Sequence, residues 1–178
     1  MKYILTIFII SSCTFFSKAQ TLKIEKGAST MEVQGTSSLH DWKSTVEEFT
    51  VEAILKEDQI NNIQFSAIVK SIKSGKSGMD GNTYKALKED KYPEIKFVSS
   101  QLNILKDRLI GTGQLTIAGK SKDIPINLII KQNTTTTVNG NVKIKMTDYD
   151  ITPPTAVFGT IKTGDEITIQ FNFTLIKS

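Results

Sequence analysis

The residues that could do chemistry are few, and the densest group of them is His40-Asp41-Trp42. An adjacent His and Asp can in principle share proton work. Neighbours in an extended strand point to opposite faces, however, which argues against a direct pair. His40 therefore has three readings: a structural hydrogen bond, a contact to a ligand headgroup, or an acid/base role. Asp148-Tyr149-Asp150 carries two acids, but a calcium loop needs several more oxygens and a Glu at a fixed offset, so solvated loop acids are expected. Gly75-Lys76-Ser77 and Gly119-Lys120-Ser121 end like phosphate loops, yet the required leading Gly is replaced by Lys70 and Gln114. There is no G-x-S-x-G elbow, and Gly111-Thr112-Gly113 lacks the third Gly of a dinucleotide fingerprint. With one Cys and one His, a cysteine zinc site, a two-imidazole site and an intrachain disulfide are excluded. No catalytic residue, metal or cofactor is expected.

The elements around these residues read as a sheet. In 178 residues, 39% hydrophobic and 22% charged, there is enough apolar material for a real core. Period-two alternation dominates after residue 30. Ile167, Ile169, Phe171, Phe173 and Leu175 alternate with Thr168, Gln170, Asn172 and Thr174. Phe49, Val51, Ala53 and Leu55 form a second stripe, and Ile63, Phe65, Ala67 and Val69 a third. Ile124, Ile126, Leu128 and Ile130 share a face, as do Val142, Ile144 and Met146. Turn-type clusters at 56–58, 106–107, 118–121, 138–140 and 163–165 separate the runs. About eight strands are predicted, at 30–36, 45–55, 62–72, 94–105, 108–118, 122–132, 138–148 and 166–177. Eight strands with one apolar face close naturally into an antiparallel, up-and-down, lipocalin-like β-barrel, an all-β fold without open edges.

Two stretches interrupt the alternation. Residues 75–92 hold a helix-prone run over Thr83–Glu89, stopped by Tyr92-Pro93, so a short helical insertion near 79–91 is expected to cap the barrel mouth. Met79, Tyr84 and Leu87 are expected to face inward from it. Tyr149 to Lys162, with Pro153-Pro154, is expected to pack down as a flap through Ile151, Val157 and Phe158.

The first 19 residues read as an export signal rather than as fold. Lys2 supplies the charged start, Tyr3 to Ile10 the apolar stretch, and Ser17-Lys18-Ala19 a small-x-small cleavage site. A periplasmic or extracellular location follows, with residues 20–178 as a single domain. An alternative cut before Cys13 would make a lipoprotein. Loss of Lys2 and Lys18 takes the basic count from 22 to 20, against 18 acids. No basic run suits nucleic acid, which is not expected as a partner. A homodimer through barrel faces stays open.

A closed eight-stranded barrel can be filled by side chains or can hold one small ligand. Composition leaves both possibilities open. The candidate lining residues are Phe49, Val51, Phe65, Ala67, Phe97, Leu115, Ile126, Leu128, Ile144, Met146, Ile169, Phe171 and Phe173, with Met79, Leu87 and Phe158 from the insertions. His40, Tyr84 and Tyr92 are the polar candidates at the mouth. Strands of about ten residues span about 33 Å, so a hollow lumen would suit a long, thin apolar ligand.

Four blocks then carry a resemblance to the YceI-like family of exported, lipocalin-like, polyisoprenoid-binding proteins. They are Leu39-His40 with Val46 and Phe49; Tyr84 to Leu87 with Lys91-Tyr92-Pro93-Glu94-Ile95-Lys96-Phe97; Gly111 to Lys122; and Phe158-Gly159 with Thr163-Gly164-Asp165-Glu166-Ile167-Thr168-Ile169. In order they cover residues 30–175. Trp42 and Glu48 stand where the family pattern often has Gly. The resemblance implies a barrel tunnel holding an isoprenoid lipid, polyprenyl or quinone-type, for carriage or storage. An enzyme acting on such a lipid through His40, and an envelope interaction protein with a solid core, are the alternatives.

Overall fold

A computed structural model describes residues 19–156 and 158–177. The export segment and its two cleavage options lie outside the described residues, apart from Ala19. The strands are β1 (Gln20–Ile24), β2 (Thr30–Ser37), β3 (Trp42–Val46), β4 (Phe49–Lys56), β5 (Gln59–Ile68), β6 (Ile72–Lys73), β7 (Glu94–Leu105), β8 (Arg108–Ile117), β9 (Lys120–Gln132), β10 (Thr136–Lys145), β11 (Thr155–Ala156) and β12 (Ile161–Lys177). One helix, α1 (Ser77–Ala86), joins β6 to the strand that follows.

Every pairing is antiparallel, and the ring β1–β4–β5–β7–β8–β9–β10–β12 closes where β1 meets β12 at Leu22–Lys177. This is the predicted eight-stranded barrel, with its apolar stripes turned inward. Leu22, Val51, Ala53, Ile60, Leu102, Ile126, Ile130 and Leu175 are buried in one continuous core.

Three features depart from the expected strand list. First, the chain pairs ten residues earlier than expected. β1 and β2 run as one path broken by a 3-10 turn at Lys26–Ala28, and β3 and β4 as another broken at Glu47-Glu48. The 17-residue β12 holds both halves of the first path, pairing β2 through Thr163–Asn172 and β1 beyond it. β1 is short and mostly polar, so alternation alone gave it no signal. Second, the expected strand 62–72 ends at Ile68. A 3-10 turn (Val69–Ser71) follows, in which the Ser71 hydroxyl donates to Ile68 O (2.7 Å) and accepts from Glu48 N (3.0 Å). Third, β9 and β10 pair only through 129–132 and 136–139 and then diverge. Beyond that point a 3-10 turn at Met146–Tyr149 follows β10, and the ion pairs Lys122–Asp148 (2.8 Å) and Lys120–Asp150 (3.0 Å) span the two paths.

The helix runs Ser77–Ala86, so it starts just before the expected insertion near 79–91 and stops well before its end. Gly78 and Gly81 make its first turns intrinsically poor. Tertiary contacts override that weakness. The Asp80 carboxylate accepts from the backbone N–H and hydroxyl of Ser74 (2.8 and 2.6 Å), and the Tyr84 hydroxyl donates to Lys70 O (2.9 Å). The helix is thereby fastened to the segment that leads into it.

Candidate functional site

The barrel interior is neither filled nor hollow throughout. Its upper half holds a cavity of about 610 Å³ that stays partly open to the outside. The walls come from Val33 of β2, Trp42, Ser44 and Val46 of β3, Leu115 and Ile117 of β8, Ile144 of β10, and Ile167 and Ile169 of β12. Met79, Thr83 and Ala86 of α1 form part of the roof, with Leu87 just after it. Ile151, Pro154 and Ala156 of the double-proline flap close another side, and Met146 and Tyr149 join them. Lys76, at the rim, is the one Lys, Arg, Asp or Glu among the lining residues. Such a space suits an apolar ligand of a few hundred Å³ with one polar end.

Two local devices shape the wall. Gly35 lies opposite Trp42 in the ladder, and a Cβ there would stand 2.7 Å from the indole Cε2. The bare backbone therefore lets the ring lie flat on the wall while its N–H donates to Thr36 O (3.0 Å). Gly113 performs the same service for the Phe97 ring, with Val98 O 2.9 Å from the position a Cβ would take.

Below, the lumen narrows. Phe171 and Phe173 stack with centroids 4.6 Å apart, Phe49 meets Phe173 at 5.3 Å, and Phe65 meets it at 6.1 Å. Only about 120 Å³ remains there, walled by Val51, Phe97, Ile126, Leu128 and their neighbours. The expected tunnel along the full strand length thus narrows, because four phenyl rings from three strands meet there.

The residues expected to line the lumen fall into distinct places. His40, Phe65, Ala67, Met79, Leu87, Leu115, Ile144, Met146 and Ile169 border the upper cavity. Val51, Phe97, Ile126, Leu128, Phe171 and Phe173 border the lower one. Phe49 borders neither and is a core residue under Phe173. Tyr84 faces β6, where Lys73 Nζ donates to its hydroxyl (2.8 Å). Tyr92 covers the turn at Gly119, with its Cε1 2.6 Å from where a Cβ would stand. Both tyrosines fasten the roof rather than border the cavity. Phe158 is a correction of another kind: it sits at the tip of the β11–β12 hairpin with φ 55° and is 109% exposed. Its side chain points away from the flap's packed face, to which Ile151 and Pro154 contribute instead. Val157 lies outside the described residues.

His40 is exposed, and its Nδ1 lies 3.0 Å from the backbone carbonyl of Asp41. Among the described residues no carboxylate is hydrogen-bonded to it. Two acids elsewhere in the chain have hydrogen-bond partners of their own. Asp165 accepts from the backbone and hydroxyl of Thr147 (2.9 and 2.6 Å), which holds its carboxyl below the usual range. Asp80 is lowered likewise by its hydrogen bonds to Ser74. Tyr149 is buried with its hydroxyl unpartnered, and burial pushes the phenol pKa up, so it stays neutral.

Sequence reasoning missed Trp42 as a wall residue, along with Met31, Val33, Ser44, Ile117 and Tyr149. For Val33 and Ile117 the alternation was a usable signal. For Trp42 and Ser44 the signal was their alternation with Val46 along β3, weakened by the polar Ser44; for Tyr149 none existed, since the 3-10 turn orients it.

The YceI-like domain profile matches residues 21–175 of this chain. No curated protein matches it in sequence. Among solved structures, BcnA of Burkholderia cenocepacia superimposes with a TM-score of 0.73 at 19% identity, over 85% of this chain and 98% of its own. A polyisoprenoid-binding domain from Saccharophagus degradans, implicated in plant cell wall breakdown, gives 0.65 at 11% identity, over 88% and 98%. The YCEI protein of Campylobacter jejuni gives 0.61 at 20% identity, over 76% and 84%.

Proposed function

The chain belongs to the YceI-like family, and from that premise we propose that it binds a long-chain isoprenoid lipid, of polyprenyl or isoprenoid-quinone type, in the upper barrel cavity, for carriage or storage outside the cytoplasm. One observation carries the reading: a partly open cavity of about 610 Å³ inside the barrel, walled mainly by apolar side chains. Each buried CH₂ contributes about 0.8 kcal/mol, so a prenyl chain threaded there outweighs its ordering cost. A solid-core interaction protein would not leave such a space. The polyisoprenoid-binding domain that shares this fold supports the ligand class.

Binding without chemistry is the reading that His40 favours. It borders the cavity, and among the described residues its ring has only a backbone partner, whereas a proton relay needs a second group held against the first. His40 is better suited to meet a polar headgroup. The export reading rests on the sequence alone, on Lys2, the apolar stretch Tyr3 to Ile10 and the small-x-small site Ser17-Lys18-Ala19. The mature chain would then be one domain, residues 20–178.

The test is extraction. Protein purified from its own cell envelope should yield a prenyl lipid by mass spectrometry, near one per chain, and its N-terminus should read Gln20. Protein that yields no prenyl lipid and takes none up from detergent micelles would refute the ligand. A cytoplasmic protein with Met1 intact would refute the export.

A further inference from the structure

Among the described residues, the two most exposed large apolar side chains stand at one end of the barrel. Phe158 is 109% exposed and Leu39 67%. Leu39 tips the turn between β2 and β3, and Phe158 the β11–β12 hairpin. The first tip is tied to the foot of the second: Ser38 N–H donates to Lys162 O (2.9 Å), and Lys162 N–H donates to the Ser38 hydroxyl (3.1 Å). Each tip rises from residues that line the upper cavity, Ser37 and His40 in one, Ala156 and Ile161 in the other. The apolar tips therefore sit at the cavity's edge.

Packing accounts for neither residue. Phe158 has φ 55° and Gly159 φ 85°. Glycine or asparagine takes that left-handed backbone at least cost, and a bulky side chain is rare there. A ring left in solvent makes no packed contact to offset it. The Leu39 turn, for its part, is built to leave water. Ser37 N–H donates to His40 O (3.1 Å), Ser38 N–H to Lys162 O, and the Leu39 and His40 N–H groups to the Ser37 hydroxyl (3.3 and 3.2 Å). Every backbone donor from Ser37 to His40 thus has a partner inside the protein, as a segment entering hydrocarbon requires. Over residues 37–42 and 155–162 the only Lys, Arg, Asp or Glu are Asp41 and Lys162, so any contact there rests on apolar burial rather than on net charge.

Resting on the reading that the cavity's ligand is a lipid, we propose that Leu39 and Phe158 insert into a bilayer and hold the cavity's edge against it. A water-insoluble chain then passes between membrane and barrel without crossing bulk water.

The test mixes the full mature chain with sucrose-loaded phosphatidylcholine vesicles that contain no prenyl lipid, and reads bound protein after sedimentation. The wild type should bind weakly and reversibly, and added phosphatidylglycerol should change the affinity less than about threefold. Leu39→Ser and Phe158→Asn should each lower it about tenfold, the worth of burying one such side chain. Leu105 is 59% exposed at the end of β7 remote from α1, and Leu105→Ser should lower the affinity less than about twofold. Phe158→Asn should unfold at a urea midpoint equal to or above the wild type's, which separates lost binding from lost fold. Wild-type protein that stays in the supernatant would overturn the docking. So would Leu39 and Phe158 variants that bind like the wild type. Dimerisation without vesicles, abolished by the same two changes, would overturn it too, because a second copy would then be the occupant. Uptake of a prenyl alcohol delivered in cyclodextrin tests the lipid reading apart. Uptake without vesicle binding sinks the docking alone; vesicle binding without uptake sinks the lipid reading and leaves the docking.

Discussion

Replacing Gly35 by Ala should drive Trp42 off the barrel wall. The added Cβ would stand 2.7 Å from Cε2 and 3.1 Å from Nε1 of the indole, whereas carbon atoms in contact settle near 3.5 Å or more. The ring must retreat by close to 1 Å. Its N–H now reaches Thr36 O at 3.0 Å, and a shift of that size takes the pair past hydrogen-bonding range. Loss of a bond of this kind costs about 0.5–1.5 kcal/mol. Overpacking a fitted wall costs about 1–3 kcal/mol. The two overlap, since retreat relieves the crowding that it breaks the bond to escape, so a total of about 2–3 kcal/mol is expected. The open side is the cavity, into which the ring would move. Urea unfolding should therefore show a lower midpoint at unchanged slope, Trp42 emission should shift, and affinity for a prenyl alcohol should fall at least tenfold. A variant within 0.5 kcal/mol of the wild type, with the same emission, would show that the Gly35–Trp42 stack does not build this wall.

Tyr149→Phe removes a buried hydroxyl that has no partner, so stability should stay level or rise by about 1 kcal/mol; a loss of that size in urea unfolding would mean that the hydroxyl is satisfied in solution. Ser71→Ala should cost about 1–3 kcal/mol, because Glu48 N–H and Ile68 C=O would lose the bridge between the strand break and the turn after β5; a midpoint equal to wild type would refute it. Asp80 and Asp165 have folded pKa values below their unfolded ones, so their contribution is complete above the usual carboxylate range and is lost as pH falls through the folded values. The urea midpoint should therefore drop below about pH 4, and less steeply in an Asp80→Asn, Asp165→Asn double variant; parallel pH curves would contradict the assignment.

Period-two alternation made most of the sheet legible before any coordinates. Ile167 to Leu175, Phe49 to Leu55 and Ile124 to Ile130 were assigned to strands with the right face inward, because a pleated backbone sends alternate side chains to opposite sides whatever lies around it. The family was legible too, through short blocks spread along the chain. β1 was not, since its five residues carry little apolar pattern and it is held by partners more than 25 residues away in β4 and over 150 away in β12. The early start of α1 was hidden for a similar reason: its glycines speak against helix, and its anchors at Lys70, Ser74 and Ile72 are tertiary.

Residue order by itself settled which side chains turn toward the lumen. It could not settle how far each reaches across, because that depends on what arrives from the opposite strands. Phe65, Phe171 and Phe173 read identically as inward aromatics, yet Phe65 borders both spaces and the other two only the narrow one. Tyr84 and Tyr92 read as mouth residues, yet backbone carbonyls and a bare glycine claim them first. Whether the barrel is filled or hollow is a property of eight converging strands, so closure of the sheet decided it: wide beneath the helix and narrow where the phenyl rings meet.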